Sequence, residues 1–423
     1  MTTYLLRTVL DIPRESKLDL SGKLARTVRN TGNYFFEHAV SRQLDEYEVV
    51  SSVEMVPNGA EKLILSMSNF LSPATDMGNF ARELEKKNIK QIVMIGAGAQ
   101  AHSYEDTISL SKGTQRFLSL LSDKSETIGI RGFYTKKILE DYNVYNGEVI
   151  GCPSIFYDLD REFRISKKPL PDDPRLAFHM TPTGHYRDNI SHLISIGVKH
   201  ATSYIAQSEN DLISVSDNPV IEDEDIEYMF KYYNDGTYSP REIRDWFSKH
   251  CNWFFDLDSW FAHMKTMDFS VGARFHGNMA ALQSGVPALN LIFDTRTREM
   301  CEFLNLPIMF LKDLTGRETI DELYDRADYR LFNSTYKKKY DNYVGFLSRN
   351  KVATTLTKKG SEGTQPRTGV HADGIMRLLH EIDDSTLEKP FILDLIQDRF
   401  KLDRNLDVRK LAEAKKYDVA TFK

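Results

Sequence analysis

Short apolar runs alternate with stretches whose apolar residues recur at helical spacing through most of the chain. In the first 165 residues, strands are predicted at Tyr4–Leu10, Tyr47–Ser51, Lys62–Ser68, Gln91–Ile95, Thr127–Ile130 and Glu148–Ile150. Helices are predicted between them at Asn33–Leu44, Met77–Lys87, Ile108–Leu121 and Tyr134–Tyr142. Alternation of strands and helices is typical of a mostly parallel sheet with helices on both faces.

A second alternating region follows Lys167–Arg175, whose prolines and mixed charges indicate an interdomain linker. Its predicted strands are Arg175–Met180, Ala201–Ala206, Asn252–Asp256, Asp268–Gly272 and Ala288–Phe293. Its predicted helices are His185–Ile196, Pro240–Lys249 and Ser259–Met264. We therefore expect an α/β protein with one domain at residues 1–165 and another at 166–345.

The pattern changes after Tyr343. Lys351–Gly369 is polar and has no apolar periodicity, which predicts a mobile loop. Helical spacing returns at His371–Ile382 and Phe391–Phe400. Residues 346–423 are therefore expected to form a flexible loop and a helical C-terminal extension, which packs either on the N-terminal half or on a second subunit.

Composition narrows the functional classes. The net charge of −6 gives no basic field for nucleic acid or anionic lipid, so an acidic substrate would be held by local cations. The three cysteines lack metal-ligand spacing, and we predict no metal site. The N-terminus resembles a strand more than a signal peptide, and no apolar run reaches the ~18 residues of a membrane span. We expect a cytoplasmic protein.

Candidate chemistry concentrates in the segment 267–287. A predicted strand ends at Arg274 and His276, a helix begins near Gly277, and Gly285 with Pro287 suits the end of that helix. If the chain stays extended, Arg274 and His276 point the same way beside the helix N-terminus and form an anion pocket with one titratable group. The alternative is that Arg274 pairs with a carboxylate and His276 only caps the helix.

The segment Trp253–Pro307, with its R-x-H-G sequence followed by G-V-P, resembles the C-terminal part of the polysaccharide pyruvyltransferase family. Further motifs occur in the family's order in the first half: Gly32-Asn33, Ser68-Asn69-Phe70, Ile95–Gln100, Ile128–Arg131 and Gly151–Ser154. The resemblance implies two Rossmann-like domains facing across a cleft, as in glycosyltransferase-B enzymes. The acceptor is expected on the first domain and the donor on the second.

The resemblance also implies a reaction. Phosphoenolpyruvate would be the co-substrate and donor, with no other cofactor, and a sugar diol of a cell-surface or capsular polysaccharide precursor would become a cyclic ketal. Arg274 and His276 match the family's catalytic arginine and histidine, with Arg274 on the donor and His276 as proton carrier. Arg296 matches a basic donor-binding residue, and Gly277 and Asn278 would supply the helix N-terminus.

One departure concerns the donor site. Family members carry an arginine near the first strand of the second domain, whereas Leu176–Thr181 has none. His185 and Arg187 come slightly later. Either residue could substitute for the missing arginine, or both are exposed residues in the first turn of the next helix.

Acceptor-binding residues are expected in the loops that follow the strands of the first domain. The candidates are Asn33, Gly98, Gln100, His102 and Arg131. Asn33 could instead cap a helix, and Arg131 could face the donor or form a salt bridge to the other domain.

Two further motifs carry weaker signals. Gly96-Ala97-Gly98 lacks the third glycine of a dinucleotide fingerprint, which disfavours NAD. Cys152 has no histidine near it in the sequence and is expected to be a buried small side chain.

Two other functions compete with pyruvyl transfer. One is a glycosyltransferase that uses a nucleotide sugar in the same architecture. The other is an assembly protein without turnover, which is disfavoured because Arg274, His276 and Arg296 are all retained. The expected partners are phosphoenolpyruvate and a sugar or lipid-linked oligosaccharide. Peripheral membrane contact and homo-oligomerisation stay open.

Overall fold

Two parallel sheets, one from each half of the chain, organise the protein. The computed structural model describes residues 2–9, 27, 30–181, 186–200, 202–208 and 236–357. Within these ranges the first half forms a sheet of order β2-β1-β3-β4, from Thr3–Leu6 (β1), Glu48–Val50 (β2), Lys62–Ser66 (β3) and Gln91–Ile95 (β4). Ile128–Ile130 (β5) pairs with Gly147–Val149 (β6), and a bridge between Ala97 and Ile130 links this pair to the end of β4. The apolar runs in β3 and β4 are buried, as parallel strands require.

Helices lie between these strands: Thr31–Gln43 (α1), Gly78–Lys86 (α2), Lys112–Lys124 (α3) and Phe133–Asp141 (α4). A short 3-10 helix, Pro153–Phe156, follows β6. In this half, two helices begin two or more residues away from their predicted starts, because side chains cap them earlier or later than expected. Asn30, not Asn33, caps α1 by accepting from the Gly32 N–H at 2.9 Å. Ser111 accepts from the Thr114 N–H at 3.0 Å, so α3 begins at Lys112 rather than Ile108.

The second half contributes a six-stranded sheet within the described residues, of order β12-β11-β10-β7-β8-β9. Its strands are Leu176–His179 (β7), Ser203–Ile205 (β8), Cys251–Asn252 (β9), Phe269–Gly272 (β10), Ala288–Ile292 (β11) and Ile308–Phe310 (β12). The helices are Arg187–Lys199 (α5), Pro240–His250 (α6), Leu257–Met264 (α7), Phe275–Gln283 (α8), Thr295–Leu304 (α9), Ile320–Arg326 (α10) and Arg330–Arg349 (α11). The predicted strand Asn252–Asp256 is wrong beyond Asn252, because Asp256 accepts from the Ser259 N–H at 2.7 Å and starts α7.

Helix α11 returns from the second half to the first. The hydroxyl of Tyr343 donates to Gln43 Oε1 at 2.8 Å. After the helix, the hydroxyl of Thr354 donates to the Gln43 carbonyl at 2.6 Å and that of Thr355 to the Arg42 carbonyl at 2.9 Å. The expectation of a mobile loop from Lys351 is therefore wrong for residues 351–357. Residues 358–423, with both predicted C-terminal helices, lie outside the described residues.

The apolar interior joins the two halves. One core cluster belongs to the first half alone, whereas a larger one contains residues from both. Across the halves, the ring of Phe35 lies 5.4 Å from Phe261, and Phe156 stacks on Tyr343 at 5.2 Å. The predicted α/β class with parallel sheets is confirmed, and the domain limits stay predictions. In the described part of the chain, every helix is too short or too polar to cross a membrane.

Candidate functional site

The carboxyl ends of strands from both sheets meet at one place. The loop after β4 contacts the start of α9: the Ala101 N–H donates to the Thr295 hydroxyl at 2.9 Å, and the Thr295 N–H donates to the Ala101 carbonyl at 3.1 Å. The residues that follow β5, β6, β10 and β11 lie in the same region. Ligands of parallel α/β sheets bind at such ends.

His276 lies in the first turn of α8 and reaches the first half of the chain. Its Nε2 is 3.6 Å from the sulfur of Cys152, and its ring centroid is 6.0 Å from that of Phe35. Burial holds the pKa of His276 well below its usual value, and the charges of Arg131 and Arg296 lower that pKa further. The imidazole is therefore neutral near pH 7 and able to accept a proton.

Arg131 follows β5 and is only 2% exposed. Its guanidinium carbon lies 5.0 Å above the centre of the Phe36 ring, and its Nη1 donates to Asn69 Oδ1 at 3.3 Å. Its Nε is buried and has no hydrogen-bond partner. Gly98 allows this placement, because a Cβ at that position would lie 3.0 Å from the Cδ of Arg131.

Arg296 approaches the same point from the second half. It follows Asp294, which caps α9, and its Nη2 is 3.4 Å from Asp294 Oδ2. The Nε of Arg296 is also buried without a partner. Burial lowers the pKa of Arg131, and the positive charge of Arg296 adds to that effect. An anion between the two guanidinium groups would fill both open donors and offset their repulsion.

Arg274 occupies a different environment from His276. Its Nε donates to the Met180 carbonyl at 2.8 Å, and its Nη2 donates to the Ser208 hydroxyl at 2.6 Å. The premise that Arg274 and His276 share a strand face is wrong, because α8 begins at Phe275 and strand alternation ends there. Arg274 links the ends of β7 and β8 to the start of α8.

A buried polar network beneath α8 includes His179, which the sequence analysis missed. His179 Nδ1 accepts from the Arg274 N–H at 3.2 Å, and its Nε2 lies 3.1 Å from Asn278 Oδ1. The Asn278 amide nitrogen donates to the carbonyl of Gly272 at 3.0 Å and to Asn290 Oδ1 at 3.0 Å. The signal for His179 in the sequence is a histidine inside an otherwise apolar strand.

This network changes the meaning of two predicted donor-binding residues. The side chain of Asn278 is fully buried and its amide is used by the fold, so this side chain is not available to a donor. The expected contribution of the N–H groups at the start of α8 to donor binding stays a prediction. Gly277 is needed for packing, since a Cβ there would lie 2.6 Å from the His179 ring.

A cavity of about 770 Å³ is bordered by Asp294, which contacts Arg296. Its lining includes Gln100, His102, Asp106, Tyr186, Phe293 and Asp294. Gln100 Nε2 donates to Asp294 Oδ2 at 3.4 Å, and the same oxygen lies beside Arg296. Asp294 therefore connects the wall of the cavity to Arg296. Gln100 and His102, both predicted to bind the acceptor, lie on its wall.

Other predicted residues lie elsewhere. Asn33 is partly buried, and its amide donates to the Thr27 carbonyl at 3.4 Å. Arg187 is the exposed first residue of α5, and His185 lies outside the described residues. Over the described ranges, no cluster of three or more His, Cys, Asp or Glu side chains has the arrangement of a metal site.

Comparison with known proteins gives one family. The sequence profile described as polysaccharide pyruvyl transferase matches residues 30–294, more than half of the chain. No curated protein sequence matches significantly.

Solved structures give distant likenesses. An S. aureus MnaA–UDP complex is 11% identical, covers 82% of this chain and 97% of its own, and has a TM-score of 0.38. The functionally uncharacterised protein KP1_0663 from Klebsiella pneumoniae is 9% identical. The match covers 65% of this chain and 84% of that protein, with a TM-score of 0.35. The glycosyltransferase SnogD from Streptomyces nogalater is 11% identical. The match covers 83% of this chain and 98% of that protein, with a TM-score of 0.29. Likeness at this level does not bear on function.

Proposed function

Since this chain belongs to the polysaccharide pyruvyl transferase family, we propose that it moves pyruvate from phosphoenolpyruvate to a sugar diol of a cell-surface polysaccharide precursor. The product would be a cyclic ketal, and phosphate would be released. The observation that carries the proposal is the pair Arg131 and Arg296, whose buried Nε atoms lack partners beside the neutral His276.

The donor has the charge that this pair requires. Phosphoenolpyruvate carries a carboxylate and a phosphate, and a guanidinium binds either group through paired hydrogen bonds. Arg131 and Arg296 come from different halves of the chain, so one donor molecule would bridge both. This assignment makes Arg131 a donor-binding residue and not an acceptor-binding one. Arg274 would have a positioning role, because it holds the ends of β7 and β8 against the start of α8.

His276 fits the two proton transfers. As a neutral base it takes the proton of the first sugar hydroxyl and then passes this proton to the methylene carbon of phosphoenolpyruvate. The hydroxyl oxygen bonds to carbon 2 of the enol as the methylene carbon is protonated. The depressed pKa of His276 makes its protonated form a stronger acid than an ordinary imidazolium, which suits delivery of that proton to carbon. The second hydroxyl then attacks carbon 2, the bond to phosphate breaks, and the second proton leaves with phosphate or solvent.

The cavity next to Arg296 is the proposed acceptor site. Gln100 and His102 offer hydrogen-bonding groups for sugar hydroxyls, and Tyr186 and Phe293 offer apolar surface for a sugar ring. Asp294 borders both the cavity and Arg296, so a sugar bound there would have its hydroxyls close to the donor.

Calorimetric titration tests the donor assignment. The proposal expects phosphoenolpyruvate to bind and Arg131→Gln to weaken that binding, with no heat from a panel of nucleotide sugars. Binding of a nucleotide sugar without binding of phosphoenolpyruvate would instead support the competing glycosyltransferase function. Phosphate release from phosphoenolpyruvate in the presence of sugar diols then tests turnover.

A further inference from the structure

Cys152 touches the imidazole of His276 although 124 positions separate them. The thiol follows β6, is fully buried, and lies 3.1 Å from the hydroxyl of Ser154 and 3.6 Å from His276 Nε2. These distances allow a hydrogen bond between sulfur and the ring nitrogen and another between sulfur and the hydroxyl. The side chain expected to be inert packing is thus a polar neighbour of the proposed proton carrier.

The other ring nitrogen of His276 faces Gly32 at the start of α1. A Cβ at position 32 would lie 3.0 Å from His276 Nδ1 and 2.7 Å from Gln207 Oε1. Position 32 therefore has no room for a side chain, and the glycine backbone lies against Nδ1. The two nitrogens differ: Nε2 contacts the sulfur, whereas Nδ1 faces the backbone of Gly32 in a ring that is only half-buried.

We propose that Cys152 is a positioning residue for His276: its sulfur accepts the Nε2–H, so that Nδ1 carries the lone pair that exchanges protons with the sugar hydroxyl. The proposal rests on the proposed function for the identity of that hydroxyl. A neutral imidazole has one N–H, and the partner of that N–H decides which nitrogen remains a base.

A thiol suits this position better than a carboxylate does. A carboxylate beside Nε2 would stabilise the imidazolium and raise the pKa of His276, opposing the effect of burial, Arg131 and Arg296. Sulfur contacts the ring nitrogen at this position, where the chain has no carboxylate. His276 therefore keeps its neutral resting form and a fixed tautomer together.

The tautomer can be read without substrate. Protein labelled with ¹⁵N-histidine, with His276 assigned from a His276→Gln spectrum, reports which ring nitrogen is protonated. The wild type should show the Nε2–H form, Cys152→Ala should show a mixture, and Cys152→Ser should retain the wild-type form. A wild-type His276 protonated at Nδ1, or a Cys152→Ala tautomer identical to wild type, overturns the proposal whether or not phosphoenolpyruvate is the donor.

Turnover supplies the second readout. Cys152→Ala should lower kcat about 10-fold, part of the contribution of general acid–base catalysis, with an unchanged KM for phosphoenolpyruvate. Cys152→Ser should restore most of the loss, and the buried Cys251→Ala serves as the matched control with wild-type kcat. Equal kcat in Cys152→Ala and Cys251→Ala contradicts the positioning role.

A second variant keeps the proposal testable if Cys152→Ala fails to fold. Gly32→Ala places a methyl group against Nδ1, so kcat should fall while the tautomer stays that of wild type. Full activity in Gly32→Ala contradicts the assignment of Nδ1 as the exchanging atom.

Discussion

Arg131 and Arg296 come from different halves of the chain, and each keeps a buried Nε without a hydrogen-bond partner within electrostatic reach of the other. Asp294 and Glu299 offset part of the repulsion between these two like charges, and an anion bound between the guanidinium groups would offset more of it. The arrangement is therefore better suited to a bound anionic donor than to the protein alone.

Removing either charge should weaken donor binding. Arg131→Gln and Arg296→Gln each lose hydrogen bonds to a charged group, typically about 1.5–3 kcal/mol, so the KM for phosphoenolpyruvate should rise about 10- to 150-fold. Steady-state phosphate release at saturating sugar measures the effect. Arg298→Gln is the matched control, because Arg298 lies on the same helix and pairs with Glu302 at 2.7 Å. An equal rise in the control contradicts the donor site.

Loss of the imidazole should affect turnover more than binding. His276→Gln should lower kcat by about 10²–10⁴-fold, the usual contribution of general acid–base catalysis, while calorimetry still detects phosphoenolpyruvate. Turnover within twofold of wild type would remove His276 from the mechanism.

The pH dependence of turnover has a defined sign. Because the pKa of His276 is lowered in the free protein, its base form persists below pH 6.5, and the acid limb of kcat/KM, which reports the free enzyme, should lie below that value. Arg131→Gln removes a nearby positive charge, so the pKa of His276 rises and the limb moves to higher pH. A limb that moves to lower pH in Arg131→Gln contradicts the electrostatic account.

Asn278 should matter for stability and not for the donor. Asn278→Ala leaves the Gly272 carbonyl and Asn290 without their amide partner, at a cost of about 1–3 kcal/mol in unfolding free energy. Chemical denaturation measures the loss, and calorimetry should find phosphoenolpyruvate affinity unchanged. Weaker donor binding at unchanged stability would instead indicate that the Asn278 side chain contacts the donor.

Glu299 connects the halves through a pH-sensitive contact. It accepts from the Thr135 N–H at 2.8 Å and from the Thr135 hydroxyl at 2.6 Å, and burial raises its pKa to about 7 from 4.5. Since the folded state favours protonation, the resulting stability is complete below the unfolded pKa and disappears as pH rises through about 7.

Replacing this carboxyl should flatten the pH profile of stability. Between about pH 5 and 8 the thermal midpoint of Glu299→Gln should fall less than that of wild type. Glu302→Gln, an exposed carboxylate on the same helix, should follow wild type. Parallel profiles in Glu299→Gln and wild type contradict the raised pKa.

The sequence predicts much of the fold because its signals are local. The buried run of β4 and the helix end at Gly285, whose φ is 77°, are confirmed where the pattern predicts them. The errors arise where one side chain decides a boundary, as with Asp256 at α7 and Asn30 at α1. Such competition between strand pairing and capping is not visible in apolar periodicity.

The site is harder to predict because it depends on distant contacts. His276 and Arg296 belong to a recognisable segment, but their partners Arg131 and Cys152 are more than 100 positions away. The expectation that Arg274 and His276 share a strand face failed for a local reason, since the helix starts one residue after Arg274. The spacing of residues along the sequence does not indicate which ring nitrogen of His276 contacts the sulfur of Cys152.

A crystal structure with bound phosphoenolpyruvate tests the anion site most directly. A carboxylate or phosphate oxygen of the donor should lie about 3 Å from the Nε atoms of both Arg131 and Arg296, with the methylene carbon on the side of His276. Phosphoenolpyruvate bound without contact to either guanidinium group would contradict it.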